Sequence, residues 1–171
     1  MSFGNLVLAL SFAFIVHNYE EWRGYESLMR AFHGRLNSKL RDRWVFGFAL
    51  ILLSAVVLCL GLAEWIGGLP PVTIFSRIIV FGLLFNAFSH CFLSVKSREL
   101  VAGTVSALFL IVPLSAMAIY SMRRDLGDSA AILLSYVVVS LATLPIAIYG
   151  SLWLGYLSKR IISAATRPRD S

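Results

Sequence analysis

Five stretches of this chain are apolar for long enough to cross a lipid bilayer, and little sequence is left for anything else. They cover roughly residues 3–22, 44–66, 72–95, 101–122 and 130–157 of 171. A helix needs about 20 predominantly apolar residues to cross the hydrocarbon core. In lipid each backbone N–H and C=O must be satisfied within the segment, so spans of this kind are helices. With 58% apolar residues, 14% charged residues and a mean hydropathy of +0.80, the composition is not that of a water-soluble globule. The sequence predicts an all-α fold, a polytopic membrane helix bundle with five transmembrane helices. It forms a single domain over residues 1–162, followed by a polar tail over 163–171. No repeat, soluble domain or low-complexity tract interrupts it.

The first stretch is the weakest, because its purely apolar run is Phe3 to Val16. It reaches spanning length only with the polar HNYEEW sequence that follows, so part of that sequence must sit inside the bundle or at the interface. MSFGN carries no Lys or Arg and no convincing small-residue cleavage site, so the first stretch is expected to be retained rather than removed as a signal peptide.

Orientation follows from the positive-inside rule. With the N-terminus outside, the cytoplasmic side carries twelve Lys and Arg residues and the outer side two, Arg123 and Arg124. The expected topology is therefore N-terminus outside and C-terminus cytoplasmic. Between the first two spans, Trp22, Tyr25, Met29, Phe32, Leu36 and Leu40 draw one narrow apolar stripe at helical spacing, with basic residues on other faces. This predicts a cytoplasmic interfacial amphipathic helix over 22–42, lying on anionic lipid. Topology and lipid contact explain the net charge of +6 without any nucleic-acid partner.

The chemistry is concentrated in two short motifs. His17, Glu20 and Glu21 are spaced by three and four residues, which groups them on one side of a helix. Asn86 and His90 form a second pair at i, i+4 in the third span. His17 lies about 7.5 Å along the axis before Trp22, and His90 about 9 Å before Lys96, so in the expected topology the two motifs share a depth. Ionisable groups at membrane depth are costly and mark functional sites by default. Neutral imidazole and carboxylate suit a divalent metal, zinc or iron, and facing helices commonly supply such ligands. His17, Glu20, Glu21 and His90 are the expected metal ligands. His33, at the edge of the amphipathic stripe, could join them. Glu20, Glu21 and Asn86 are the candidate catalytic groups, one glutamate as general base and Asn86 as orienter of a ligand or substrate. Without a metal, the same residues could carry protons. Alternatively, the glutamates could pair with Arg23 or the basic segment, leaving the histidines as hydrogen-bonded packing groups.

Other polar residues read as structure. Glu64 and Arg77, near the outer turn on consecutive spans, are expected to form an ion pair. Gly103 and Ala107 make a small-xxx-small face, and Pro113 and Pro145 are expected kinks. Cys59 and Cys91 are packing thiols at different depths. No phosphate-cradling loop, nucleophile elbow or CxxC pair is present.

The pairing of His17-Asn18-Tyr19-Glu20-Glu21 with Asn86-Ala87-Phe88-Ser89-His90 resembles the bacterial HXXEE family of small integral membrane proteins. That family carries an HxxEE motif, an NxxxH motif and a less constant further histidine, to which His33 is a possible match. The resemblance covers the first span through the fourth. Members often carry a Pro-Gly step after the NxxxH helix, where this chain has Ala102-Gly103. It implies a location in the bacterial cytoplasmic membrane and marks His17, Glu20, Glu21, Asn86 and His90 as signature residues. It implies no activity.

Three functions are compatible with these features. The first is an intramembrane metal-dependent enzyme, a hydrolase or an oxidase, acting on a lipid or other membrane-dissolved substrate. The second is a proton or small-solute carrier using the His/Glu cluster as a relay. The third is a lipid- or partner-binding membrane module using its basic interfacial segment.

Overall fold

The computed structural model describes residues 1–31 and 37–166. Among the described residues all regular structure is helical: α1 (Phe3–Arg23), α2 (Tyr25–Ala31), α3 (Arg43–Ile66), α4 (Pro70–Ser97), α5 (Thr104–Arg124) and α6 (Ala130–Ala165), with a 3₁₀ turn at Ser38–Leu40. The long helices begin where the local sequence can close their first turns. Ser2, Asp42 and Ser129 accept hydrogen bonds from the free N-terminal amides of α1, α3 and α6, and Pro70 starts α4.

Four helices, α3 to α6, are long and apolar enough to cross a membrane. The first of the five expected spans, α1, is not among them, because its last turns carry His17, Asn18, Glu20 and Glu21. Burial explains how it keeps them. Leu6, Val7, Leu10, Ser11, Phe14, His17, Asn18 and Glu21 are all buried against neighbouring helices, so the polar end faces protein. At the other extreme, only 6% of the apolar window of α6 is buried, which places that helix on the periphery. Ile51, Phe109, Val138 and Ile146 point outward, a surface matched to lipid.

The described residues of the segment expected as one amphipathic helix over 22–42 do not form one continuous helix. A turn at Gly24 ends α1, α2 has seven residues, and Ser38–Leu40 is a 3₁₀ turn. Phe32, His33 and Leu36 lie outside the described residues, as does most of the 163–171 tail. The helix α6 runs unbroken through Pro145 to Ala165, eight residues past the expected end of the fifth span at 157. In α5 the backbone widens into a π-helical turn at Ala107–Ile111, ending two residues before Pro113. Proline has no N–H and its ring crowds the carbonyl four residues earlier, so the wider turn relieves the conflict.

The helices α1 and α3 are antiparallel. Gly4 meets the backbone of Glu64 and Trp65 at one end, and Gly47 sits on the Trp22 ring at the other. Gly155 lies against the Val45 carbonyl, bringing the C-terminal part of α6 beside the start of α3. Ser94 and Thr104 bond at 2.7 Å where α4 hands over to α5. One end of the bundle therefore gathers Arg23, Lys39, Arg43, Lys96, Lys159 and Arg160.

Two apolar clusters fill the interior. One joins Phe3, Leu6, Leu10, Phe14, Val80, Leu83, Ala107 and Met122, and the other, toward the basic end, joins Tyr25, Leu28, Val45, Phe46, Leu93 and Val101. The Glu64–Arg77 ion pair expected from the hairpin does not form. Arg77 donates instead to Asp128 at 2.9 Å and to the Tyr136 hydroxyl at 3.0 Å, while Glu64 accepts from Thr73. Asp128 precedes α6, and its descent into the bundle brings a closer carboxylate than the neighbouring span does.

Candidate metal centre

The two motifs meet. Glu21 directs Oε1 at both imidazoles, 3.1 Å from His17 Nε2 and 2.7 Å from His90 Nε2. The rings stand edge to face with centroids 4.8 Å apart. The side chains of His17, Glu21 and His90 are 0%, 8% and 5% exposed, so the trio is sealed from the bundle surface. Helical spacing brings His17 and Glu21 together one turn apart on α1, and the shared depth of α1 and α4 adds His90.

The tautomer of His17 is set from behind. Its Nδ1 lies 3.0 Å from the Gly103 carbonyl, which can only accept, so Nδ1 carries the proton. The lone pair is then on Nε2, where Asn86 Nδ2 donates to it at 2.9 Å. Glu21 Oε1 faces that same lone pair. Two acceptors at this separation repel unless a cation or a proton lies between them, and a cation bound to Nε2 would displace the Asn86 amide from its one lone pair. In a metal site, an imidazole whose far nitrogen is fixed by a carbonyl is the usual ligand arrangement.

Gly103 makes this packing possible. It adopts φ +91° ahead of α5, and a Cβ there would lie 2.8 Å from His17 Cε1 and 2.9 Å from His90 Nδ1. Only a glycine lets the backbone turn in this region while pressing its face on both rings. His90 Nδ1 is buried there with no hydrogen-bond partner among the described residues.

The second glutamate of the motif does different work. Glu20 accepts from the amides of Val105 and Ser106 at 3.3 and 3.0 Å, and from the Ser106 hydroxyl at 2.6 Å. It thus caps the N-terminus of α5 from a neighbouring helix, where a carboxylate is favoured by the unpaired amides and the helix dipole. Adjacent residues on a helix point about 100° apart, and here Glu21 turns to the histidines while Glu20 turns to α5. Glu20, expected as a ligand, stands here as a helix cap outside the His17–Glu21–His90 group. Ser106 Oγ also lies 3.1 Å from His17 Nδ1, linking the cap to the site. Sequence reasoning did not find Ser106, and it found Gly103 only as a packing residue. The signal available was their position at the first turn of a helix following the NxxxH span.

His17, Glu21 and His90 form a group whose ligand atoms all lie within 4.8 Å of one another. Two donors held by one tetrahedral zinc lie about 3.3 Å apart, given metal–ligand distances of roughly 2.0–2.2 Å. The spacings at Glu21 are already close to that. His₂Glu is also a ligand set that leaves a coordination position open. Asn86, half-buried, stands at the edge of the trio. On the other flank of α1, Asn18 ties the helix to the Leu50 carbonyl and Ser54 and borders an apolar groove of about 510 Å³ lined by Trp22, Trp44 and Phe48.

The chain belongs to the HXXEE family, proteins of unknown function with an HXXEE motif, whose model matches residues 8–118. The matched region contains all of the site: His17, Glu20 and Glu21 on α1, Asn86 and His90 on α4, and the Gly103–Ser106 turn. No curated protein and no solved structure matches the chain.

Proposed function

We propose that this HXXEE protein is an integral membrane, metal-dependent enzyme whose centre is held by His17, Glu21 and His90. The observation that carries the reading is the His17 Nε2 lone pair, fixed by the Gly103 carbonyl behind it and facing a buried carboxylate at 3.1 Å. A bound zinc or iron ion would supply Lewis acidity, an activated water or access to oxygen chemistry. The chain's own residues set the rest. Gly103 and Ser106 orient His17, Glu20 holds Ser106, and Asn86 offers an amide at the rim to position a substrate group. Burial of the trio and the lipid-matched exterior favour a lipid or another membrane-dissolved substrate, approaching from the Asn86 side.

A proton relay is the second reading, favoured by the 2.7 Å contact between Glu21 and His90. It needs a polar path to the far end of the bundle. Leu6, Leu10, Phe14, Val80 and Leu83 form a continuous apolar cluster in that direction, which argues against it.

The test is bound metal in the purified protein, by mass spectrometry, beside a His17→Ala/His90→Ala variant. Near-stoichiometric zinc or iron that disappears in the variant is the expected result. A folded protein that takes up neither ion when both are supplied would overturn the reading and direct attention to proton flux.

A further inference from the structure

We propose that the pocket between the Ser38–Leu40 turn and the last turns of α6 holds the phosphate of an anionic phospholipid. The pocket encloses about 440 Å³ and is lined by Lys39, Asp42, Tyr156, Lys159, Arg160 and Ser163, among others. It lies at the basic end of the bundle and shares no residue with the His17 site.

Its charge is unbalanced toward an anion. Among the described residues three cations line it against one carboxylate, and that carboxylate is already engaged. Asp42 accepts from the amides of Trp44 and Val45 at the start of α3, and from Lys159 Nζ. Lys39 stands over the Tyr156 ring, 6.0 Å from its centroid. Two positive charges in excess, with Ser38 and Ser163 also lining the pocket, meet the needs of a phosphate oxyanion.

Depth selects the source of that phosphate. A helix of 36 residues such as α6 is about 54 Å long, against a hydrocarbon core of roughly 30 Å, so its last turns emerge into the headgroup layer. Trp153 and Tyr156 stack edge to face at 5.6 Å, and Trp44 lies exposed at the start of α3. Trp and Tyr concentrate at the interface, which puts Lys159 and Arg160, within about one turn of Tyr156, at the depth of lipid phosphates. Leu154, Leu157 and Ile161 are exposed along the same part of α6 and give acyl chains an apolar wall beside the pocket. Basic pockets between spans at such a depth are suited to anionic head groups.

The test is native mass spectrometry of the full chain in mild detergent, with added phosphatidylglycerol or phosphatidylcholine, beside Lys39→Gln/Arg160→Gln. Neither substitution removes the Asp42–Lys159 bond or the cap of α3. One phosphatidylglycerol should be retained per chain in preference to phosphatidylcholine, and the double variant should hold it roughly 30-fold more weakly. Inorganic phosphate at the same concentration should give little thermal stabilisation. Equal retention of the two lipids, or undiminished retention by the variant, would overturn the proposal. A full thermal shift from inorganic phosphate would assign the pocket to a soluble anion and overturn it equally. Should the double variant not fold, the two-lipid comparison on the wild-type chain and Lys39→Gln alone decide the matter.

Discussion

His17 and Glu21, one turn apart on α1, hold an imidazole lone pair and a carboxylate oxygen 3.1 Å from each other inside a sealed part of the bundle. Helical geometry alone makes such a pair neighbours. What makes it a site is the orientation imposed from outside the helix. The Gly103 carbonyl fixes which nitrogen of His17 is protonated, and His90 closes the carboxylate from α4. Two distant parts of the chain, α1 and the α4–α5 junction, must therefore be in register before the group exists.

The division of labour between the two glutamates gives a sharp expectation. In the proposed metal centre, Glu21→Gln removes a charged ligand and should reduce metal retention roughly 100-fold or more, beyond the 10–100-fold usual for residues that only support a ligand. Glu20→Gln weakens the cap of α5 and should cost about 0.5–2 kcal/mol of stability, with at most about a 10-fold loss of metal. Metal titration and thermal unfolding of the two variants, run in parallel, check this. Equal metal loss in both would make Glu20 a ligand after all.

Gly103→Ala tests whether the backbone turn seats the rings. The substitution forces a Cβ onto both imidazoles and places a side chain at φ +91°, strain of about 1–3 kcal/mol before any clash is counted. Melting temperature and metal occupancy should fall together. Wild-type metal binding in a Gly103→Ala protein would show that His17 is oriented by something else.

Much of this site was legible in the sequence because two regularities act at once. The 3.6-residue period grouped His17 with Glu21 and Asn86 with His90. Counting residues from the basic ends of two spans placed both pairs at one depth. The choice between Glu20 and Glu21 was not legible, since it depends on which face of α1 meets α4 and which meets α5. Ser106 and Gly103 escaped for a related reason: their roles come from a turn that packs back against α1, more than eighty residues away in sequence. Five spans were expected, whereas α1 is too polar to stand with the other four on hydropathy. Glu64 and Arg77 are neighbours in the hairpin, but Asp128 arrives from a distant loop and takes the guanidinium.

The link between α3 and α6 at the basic end should respond to acid. The hydrogen bond from Lys159, joined by the amides of Val45 and Trp44, holds the Asp42 carboxyl below its ordinary value of 3.8. A carboxyl with a depressed folded-state value stabilises the fold fully above the unfolded value. That contribution is lost as pH falls through the folded one. Asp42→Ala should cost about 0.5–2 kcal/mol near neutrality, mostly as a lost helix cap. The gap between wild type and variant should be constant at pH 5–7 and shrink only below about pH 4. Unfolding in detergent across pH 3–7 measures it, and a gap that widened in acid would contradict the assignment.

Arg77 and Asp128 bind α4 to the segment before α6, and their side chains are 16% and 6% exposed. Among the described residues Asp128 Oδ2 and Arg77 Nε are buried without partners, so the two side chains rely on their mutual bond and the Tyr136 hydroxyl, while Arg123 donates to the Asp128 carbonyl at 2.9 Å. Removing one charge from such a pair strands the other away from water, which costs about 3–5 kcal/mol. Asp128→Ala should therefore destabilise the protein by about that amount, and Arg77→Met by a similar one. Replacing both together, as Arg77→Met/Asp128→Leu, leaves no stranded charge and should recover most of the loss. The corresponding cycle between Arg77 and Glu64 should be additive to within about 0.5 kcal/mol, because Glu64 bonds to Thr73 instead. A large coupling between Arg77 and Glu64 in denaturant unfolding, with none between Arg77 and Asp128, would restore the hairpin ion pair and refute the contact seen here.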